Sequence, residues 1–238
     1  KSIGASAILA LLGSYEIISP YDYYMTTTRF CLVRHGETDW NAERRLQGYT
    51  DIPLNAHGLA QAVQMAKALQ KANFQFDVLY TSDLHRAKQT AQAIENLYAV
   101  SAISQSSLRE RHLGALQGLT IHEAPLLEPE LWQIHLSRDI HQELRGGESI
   151  LQFANRIKTA LQEIQEKHSG ETILIVSHGG SLDMMYRMAS KQALDAEKLV
   201  AVPNASLNWI SFDGENWKVD NWADTSHLDG LALDNLDL

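Results

Sequence analysis

One cysteine, Cys31, is all that this chain of 238 residues contains, which excludes an internal disulfide framework and fits a reducing compartment. Its place in an apolar run marks it as a core residue rather than a reactive thiol. Positive charge is also scarce: 20 Lys and Arg against 29 Asp and Glu give a formal net charge of −9. That balance argues against a nucleic-acid surface and against a polybasic membrane anchor. No apolar stretch is long enough to span a bilayer, and no internal repeat or low-complexity segment appears. His112, His122, His135 and His141 lack the spacing of zinc ligands, and neither a metal nor a cofactor is expected. The lone cysteine suits a cytoplasmic chain.

With 45% hydrophobic and 21% charged residues, the chain can bury one sizeable core, and one domain is expected. Residues 1–24 differ in texture from the rest of the chain. Ala5 to Leu12 outlines a signal peptide, yet the stretch is short and no small-x-small cleavage site comes after it. Met25 reads better as a natural start, with 1–24 a leader or an added segment. The domain is then expected over 25–228, with an acidic, mobile tail over 229–238.

From Met25 onward strands and helices alternate. Arg29–Val33 is too brief for a helix and rich in β-formers. Leu59, Ala62, Val63, Ala66 and Leu69 recur at helical spacing, predicting a helix over roughly 57–72. Phe76–Tyr80 reads as a second buried strand. Leu84 to Leu97 marks another amphipathic helix, with Thr81-Ser82-Asp83 offering N-cap side chains. A short strand is expected around 100–103. Between about 115 and 147 the pattern is less regular, broken by Pro125 and Pro129, with a brief helix at Leu131–Ile134. Ile150 to Ile164 makes a strong helix behind Ser149, and Thr172–Val176 a third buried strand. A helix over about 181–190 leads to runs at 206–212 and 217–219, joined by Asp213-Gly214, a hairpin signal. Trp209, Trp217 and Trp222 read as a cluster that packs the edge strands. The fold class expected is α/β: a three-layer α/β/α sandwich, its central sheet mostly parallel with an antiparallel edge hairpin.

Two short stretches carry the chemistry. Arg34-His35-Gly36 ends the first strand, and Ser177-His178-Gly179-Gly180 ends the third. The carboxyl ends of strands are where an open α/β sheet keeps its ligand crevice, so the two histidines can face each other there. Gly36 lets the backbone turn close to a bound group. Arg34 offers guanidinium donors for an oxyanion, and His35 an imidazole able to attack or relay a proton. Such a site wants an anion, and phosphate fits best. Glu110 reads on spacing alone as a partner of Arg109 or Arg111. Arg44, Arg45 and Arg111 read equally as contacts for an anionic substrate and as surface charge.

Arg34-His35-Gly36-Glu37-Thr38-Asp39-Trp40-Asn41, with Leu46-Gln47-Gly48 and Asp51-Ile52-Pro53-Leu54 behind it, resembles the signature of the histidine phosphatase superfamily, phosphoglycerate mutase-like branch. Tyr80 to Ala91 is similar to the family's second block, with Arg86 as its phosphate-binding arginine. Leu108-Arg109-Glu110-Arg111-His112-Leu113-Gly114 resembles its acid-bearing loop, Val176 to Gly180 its second histidine, and His227-Leu228 its usual ending. The resemblance covers about 28–228.

It implies a metal-independent phosphatase acting on small phosphomonoesters. His35 would form a phosphohistidine, with Arg34, Arg86 and His178 around the equatorial oxygens. Glu110 would be general acid and base, with a pKa raised to suit. Thr38, Asn41, Gln47, Gly48, Arg111 and Gly179 would bind phosphate or substrate. The partner implied is a small anionic phosphorylated metabolite, taken by a monomer or homodimer. Two other readings are a cofactor-dependent phosphoglycerate mutase and a phosphate-binding regulatory module. The stretch from Glu110 to His178 looks too short for the mutase insertion, although Glu110 to Gly118 leans towards the mutase pattern. A module that had lost the chemistry would have dropped one of these groups, and none is missing.

Overall fold

The computed structural model describes residues 27–197, 200–228 and 230. The expected leader and nearly all of the expected acidic tail lie outside the described residues. Among those residues the chain forms strands β1 (Thr28–Arg34), β2 (Val78–Thr81), β3 (Ile103–Ser104), β4 (Thr172–Ser177), β5 (Leu207–Phe212) and β6 (Trp217–Asp224). The helices are α1 (Asp39–Ala42), α2 (Ala56–Lys71), α3 (His85–Tyr98), α4 (Ala124–Leu127), α5 (Pro129–Ser137), α6 (Ile150–Lys167) and α7 (Gly179–Ser190). One sheet has the order β3-β2-β4-β1-β5-β6. β1, β2, β3 and β4 pair in parallel, and the β5–β6 hairpin joins β1 antiparallel. This is the expected three-layer α/β architecture.

Alternation along the central strands assigns one core to each face of the sheet. Phe30 and Leu32 of β1, with Ile173 and Ile175 of β4, pack with Phe153, Ile157, Leu161 and Ile164 of α6 and with Leu182 and Met185 of α7. On the opposite face Cys31, Val33, Leu174 and Val176 pack with Met65, Ala66 and Leu69 of α2 and Ala87, Ala91 and Ile94 of α3. Cys31 is fully buried, and that burial pushes its thiol pKa up. A third cluster, with Leu113, Leu116, Leu131, Trp132 and Leu144 at its centre, gives the irregular segment its own small core.

Helix ends obey local chemistry in most places. Asn55 Oδ1 accepts the Gly58 N–H ahead of α2, and Ser149 forms a capping box with Gln152 ahead of α6. The start of α3 departs from expectation. Its N-cap is Leu84, without a side-chain cap, and the His85 N–H donates to Asp51 Oδ1 at 2.6 Å. Ser82 and Asp83 are engaged elsewhere, by His178 and by Arg109. The prolines also act differently: Pro125 and Pro129 stand in the first turns of α4 and α5 and open helices there, because the missing N–H has no helical partner to lose. β2 and β3 begin later than expected, and β6 runs on to Asp224. The tryptophans pack the edge strands as expected: Trp217 and Trp222 lie against the first core and Trp209 against the second, Trp217 tilted on Phe30 and Phe212, Trp222 tilted on Tyr186, and Trp209 edge-on to Phe74.

Candidate active site

β1 and β4 end in register, with Arg34 opposite Ser177, and the His35 N–H continues the pairing to the Ser177 carbonyl at 2.9 Å. The next residue of each strand is a histidine, so the two rings meet at 5.1 Å between centroids, edge to face at 61°. β2 ends beside them: the Ser82 N–H donates to the Val176 carbonyl, and Ser82 Oγ lies 2.8 Å from His178 Nε2. Ser82 is therefore a rest for the second histidine rather than a cap for α3.

Both rings are buried, and burial together with the positive fields of Arg86 and Arg34 holds each imidazole well below its ordinary pKa. They are neutral at pH 7. His35 Nδ1 sits 2.7 Å from the Gly36 carbonyl, which can only accept, so Nδ1 carries the proton and Nε2 the lone pair. Gly36 itself allows no side chain, because a Cβ there would strike the Gly58 backbone.

The arginines are anchored by backbone carbonyls. Arg34 Nη1 donates to Val202 at 2.6 Å, and Arg86 donates to Gly48 at 2.8 Å and to Thr50 at 3.0 Å. Gly48, at φ +51°, turns the loop that presents its carbonyl. These carbonyl contacts fix where each guanidinium sits, and a positioned guanidinium suits an anion.

Glu110 comes just after the 3₁₀ turn Ser106–Leu108. Its Oε1 accepts the Arg111 N–H at 2.7 Å and its Oε2 the Gly180 N–H, at the start of α7, at 2.8 Å. A Cβ on Gly180 would collide with the Glu110 carboxylate. The neighbouring arginines have other partners: Arg109 forks onto Asp83 at 2.7 and 2.6 Å, and Arg111 donates to the Glu148 carbonyl at 2.9 and 2.8 Å. Arg156 of α6 holds the loop from below. Its guanidinium donates to the carbonyls of Ser107, Arg109 and Glu110 and pairs with the Glu148 carboxylate.

A cleft of about 250 Å³ opens above these groups. Of the residues expected from sequence, His35, Asn41, Gln47, Gly48, Arg86, Glu110 and Arg111 line it. Arg34 and His178 are buried and, by their fields, sit against the cleft histidine and arginine. Thr38 and Gly179 are not among the lining residues. Thr38 caps α1 through a capping box with Asn41, and Gly179 is buried at the start of α7. Arg44 and Arg45 also line the cleft, Arg45 pairing with Glu43 and Glu123. Sequence reading missed Trp40, Leu113, His135, Arg138, Phe153, Asp183 and Met184 in the lining. Burial pulls the Arg111 pKa down to about 10, against the fields of Glu148 and Glu110. Among the described residues no group of three His, Cys, Asp or Glu is arranged to hold a metal ion, and no helix is long and apolar enough to cross a membrane.

The family profile described as histidine phosphatase superfamily, branch 1, matches residues 30–225. The chain belongs to the histidine phosphatase superfamily. Within it, this histidine phosphatase is 42% identical over 208 residues to "Metal-independent phosphoserine phosphatase" of Arabidopsis thaliana, covering 87% of this chain and 85% of that one. It is 41% identical over 201 residues to "Phosphoglycerate mutase-like protein 4" of the same plant, covering 83% and 86%. Among solved structures, YhfR of Bacillus stearothermophilus aligns with a TM-score of 0.78 at 32% identity, over 84% of this chain and 99% of that one. The expected enzyme class, a phosphoric monoester hydrolase, agrees with these relatives.

Proposed function

We propose that this histidine phosphatase hydrolyses small phosphomonoesters through a phosphohistidine on His35, with Glu110 as general acid and base. The observation that carries the reading is a neutral imidazole, its Nε2 lone pair fixed by the Nδ1 contact to Gly36, beside His178, Arg34 and Arg86. Nε2 attacks phosphorus, the bond from phosphorus to the leaving oxygen breaks, and Glu110 gives that oxygen its proton. Water then attacks the phosphohistidine and yields its proton to Glu110, and the N–P bond breaks to return neutral His35. Arg34, Arg86 and His178 stabilise the equatorial oxygens. Donors preorganised in this way contribute about a hundredfold or more each.

Asn41 spends its Oδ1 on the Thr38 N–H and hydroxyl, which leaves its Nδ2 donors for substrate. Gln47, Gly48 and Arg111 complete the rim, while Thr38 and Gly179 act by fixing the backbone beneath. The substrate is a small anionic phosphorylated metabolite, handled by a cytoplasmic monomer or homodimer. Supporting this are five arginines in the lining of an otherwise acidic chain.

The test is incubation with 3-phosphoglycerate in EDTA, with and without 2,3-bisphosphoglycerate, measuring inorganic phosphate and 2-phosphoglycerate separately. Phosphate without isomer is expected. Isomer formation that depends on the bisphosphate would replace this reading with a mutase. Phosphate release that survived His35→Ala would refute both.

A further inference from the structure

Five arginines line the cleft but only two carboxylates, Glu110 and Asp183. Glu110 is used by the proposed hydrolysis; Asp183 is not. Asp183 is 4% exposed and stands one turn beyond Gly180 on the same face of α7, a step of about 5–6 Å along the helix surface. Its Oδ2 accepts from Arg187 Nε at 2.9 Å, whereas its buried Oδ1 makes no hydrogen bond within the described residues. A buried carboxylate oxygen without a donor is costly, and the cost is recovered when a ligand supplies one.

Around it, Phe153, Met184 and Leu136 give the wall an apolar lining, which strengthens any hydrogen bond made there. On the same wall is Arg138, the left-handed C-cap of α5. Its Nη2 donates to the Leu194 carbonyl at 3.0 Å, and its buried Nε makes no hydrogen bond within the described residues.

We propose that Asp183 reads the leaving group, its Oδ1 accepting a hydrogen bond from an ammonium or hydroxyl of a phosphorylated short-chain carboxylic acid whose carboxylate turns to Arg138. This rests on the phosphatase reading. Gly180 fixes Glu110, and Glu110 fixes the ester oxygen. One helical turn along α7 then brings Asp183 to the substituent on the carbon next to the ester methylene. An ammonium satisfies Oδ1 with charge as well as a hydrogen bond, a hydroxyl with the hydrogen bond alone, and a hydrogen atom not at all. The assigned class is therefore the O-phosphorylated 2-amino acid, with the 2-hydroxy acid second.

Three esters that differ only in that substituent test this: O-phosphoserine, 3-phosphoglycerate and 3-phosphooxypropionate, with p-nitrophenyl phosphate as a fourth substrate. In the wild type, kcat/KM should favour the ammonium ester over the unsubstituted one by about tenfold or more. Asp183→Asn should lower that ratio by a similar factor, through KM and kcat together. Equal kcat/KM for the three esters, or an unchanged ratio in the variant, overturns the assignment. If the variant is inactive on all four substrates because its Arg187 pair is lost, the wild-type series alone decides. Absence of phosphate release from all four by the wild type would instead refute the phosphatase reading beneath it.

Discussion

Replacing Gly180 by alanine places one methyl group against the Glu110 carboxylate, whose Cδ and Oε2 lie 3.1 and 3.2 Å from where that Cβ would stand. The carboxylate is the far end of a flexible side chain, so it swings aside and the fold survives. Swinging aside breaks the 2.8 Å bond from Gly180 N–H and the 2.7 Å bond from Arg111 N–H. Hydrogen bonds to a charged group are worth about 1.5–3 kcal/mol each. Alanine within α7 returns roughly 0.8–1 kcal/mol of helix propensity, so the loss in stability should stay near 2–5 kcal/mol. Catalysis loses more. A displaced general acid forfeits about 10²–10⁴ in rate, which is roughly 2.7–5.4 kcal/mol of barrier.

That loss should depend on the leaving group. An alkyl phosphate such as phosphoserine needs its oxygen protonated as it departs, whereas p-nitrophenolate leaves as the anion. Gly180→Ala should therefore lower kcat on the alkyl ester by about a hundredfold or more and on p-nitrophenyl phosphate by about tenfold or less. Glu110→Gln should reproduce the pattern. Steady-state kinetics on both esters, with thermal melts alongside, make the measurement. Equal losses on the two esters would refute Glu110 as the acid.

Arg156→Met removes one partner of a half-buried pair with Glu148 and three carbonyl contacts, and should cost roughly 3–5 kcal/mol by urea denaturation. Ile175→Ala, deep in one core, should cost about 2–5 kcal/mol by the same assay. His35 and His178 have folded pKa values below the unfolded value near 6.5, so the unfolded chain binds more protons as pH falls through 6.5. Stability should then rise with pH through that range, by up to about 2.7 kcal/mol per unit for the two rings, and level off above it. Melts in His178→Gln should show a shallower slope, and an unchanged slope would refute the contribution of that ring.

The paired histidines were legible because two features coincide in sequence: an apolar run long enough for a buried strand, and a His-Gly step directly after it. Parallel pairing of β1 with β4 does the rest. Ser149 was legible as a cap because capping is local. Asp51 was not, because it caps α3 from another loop, and that in turn frees Ser82 for His178 and Asp83 for Arg109. Glu148 and Arg156 were not legible, since nothing local shows that their charges meet beneath the acid loop. Asp183 and Arg138 were hidden for a similar reason. Asp183 lies in a stretch whose helical spacing promised only packing, and Arg138 in a segment whose regularity comes from its own small core.

β1 lies at the centre of the sheet, yet both its partners come late: Thr28 Oγ1 accepts the Gly170 N–H, 142 positions on, and β5 is later still. During synthesis this apolar strand emerges first and then waits, with two open edges, for most of the chain. Loop closure of that length is slow, and long-range parallel pairing is exposed to aggregation meanwhile. The strand that sets the two histidines side by side therefore makes maturation of the enzyme depend on the later arrival of β4 and β5. Shortened chains ending before β4 should depend on chaperones to stay in solution.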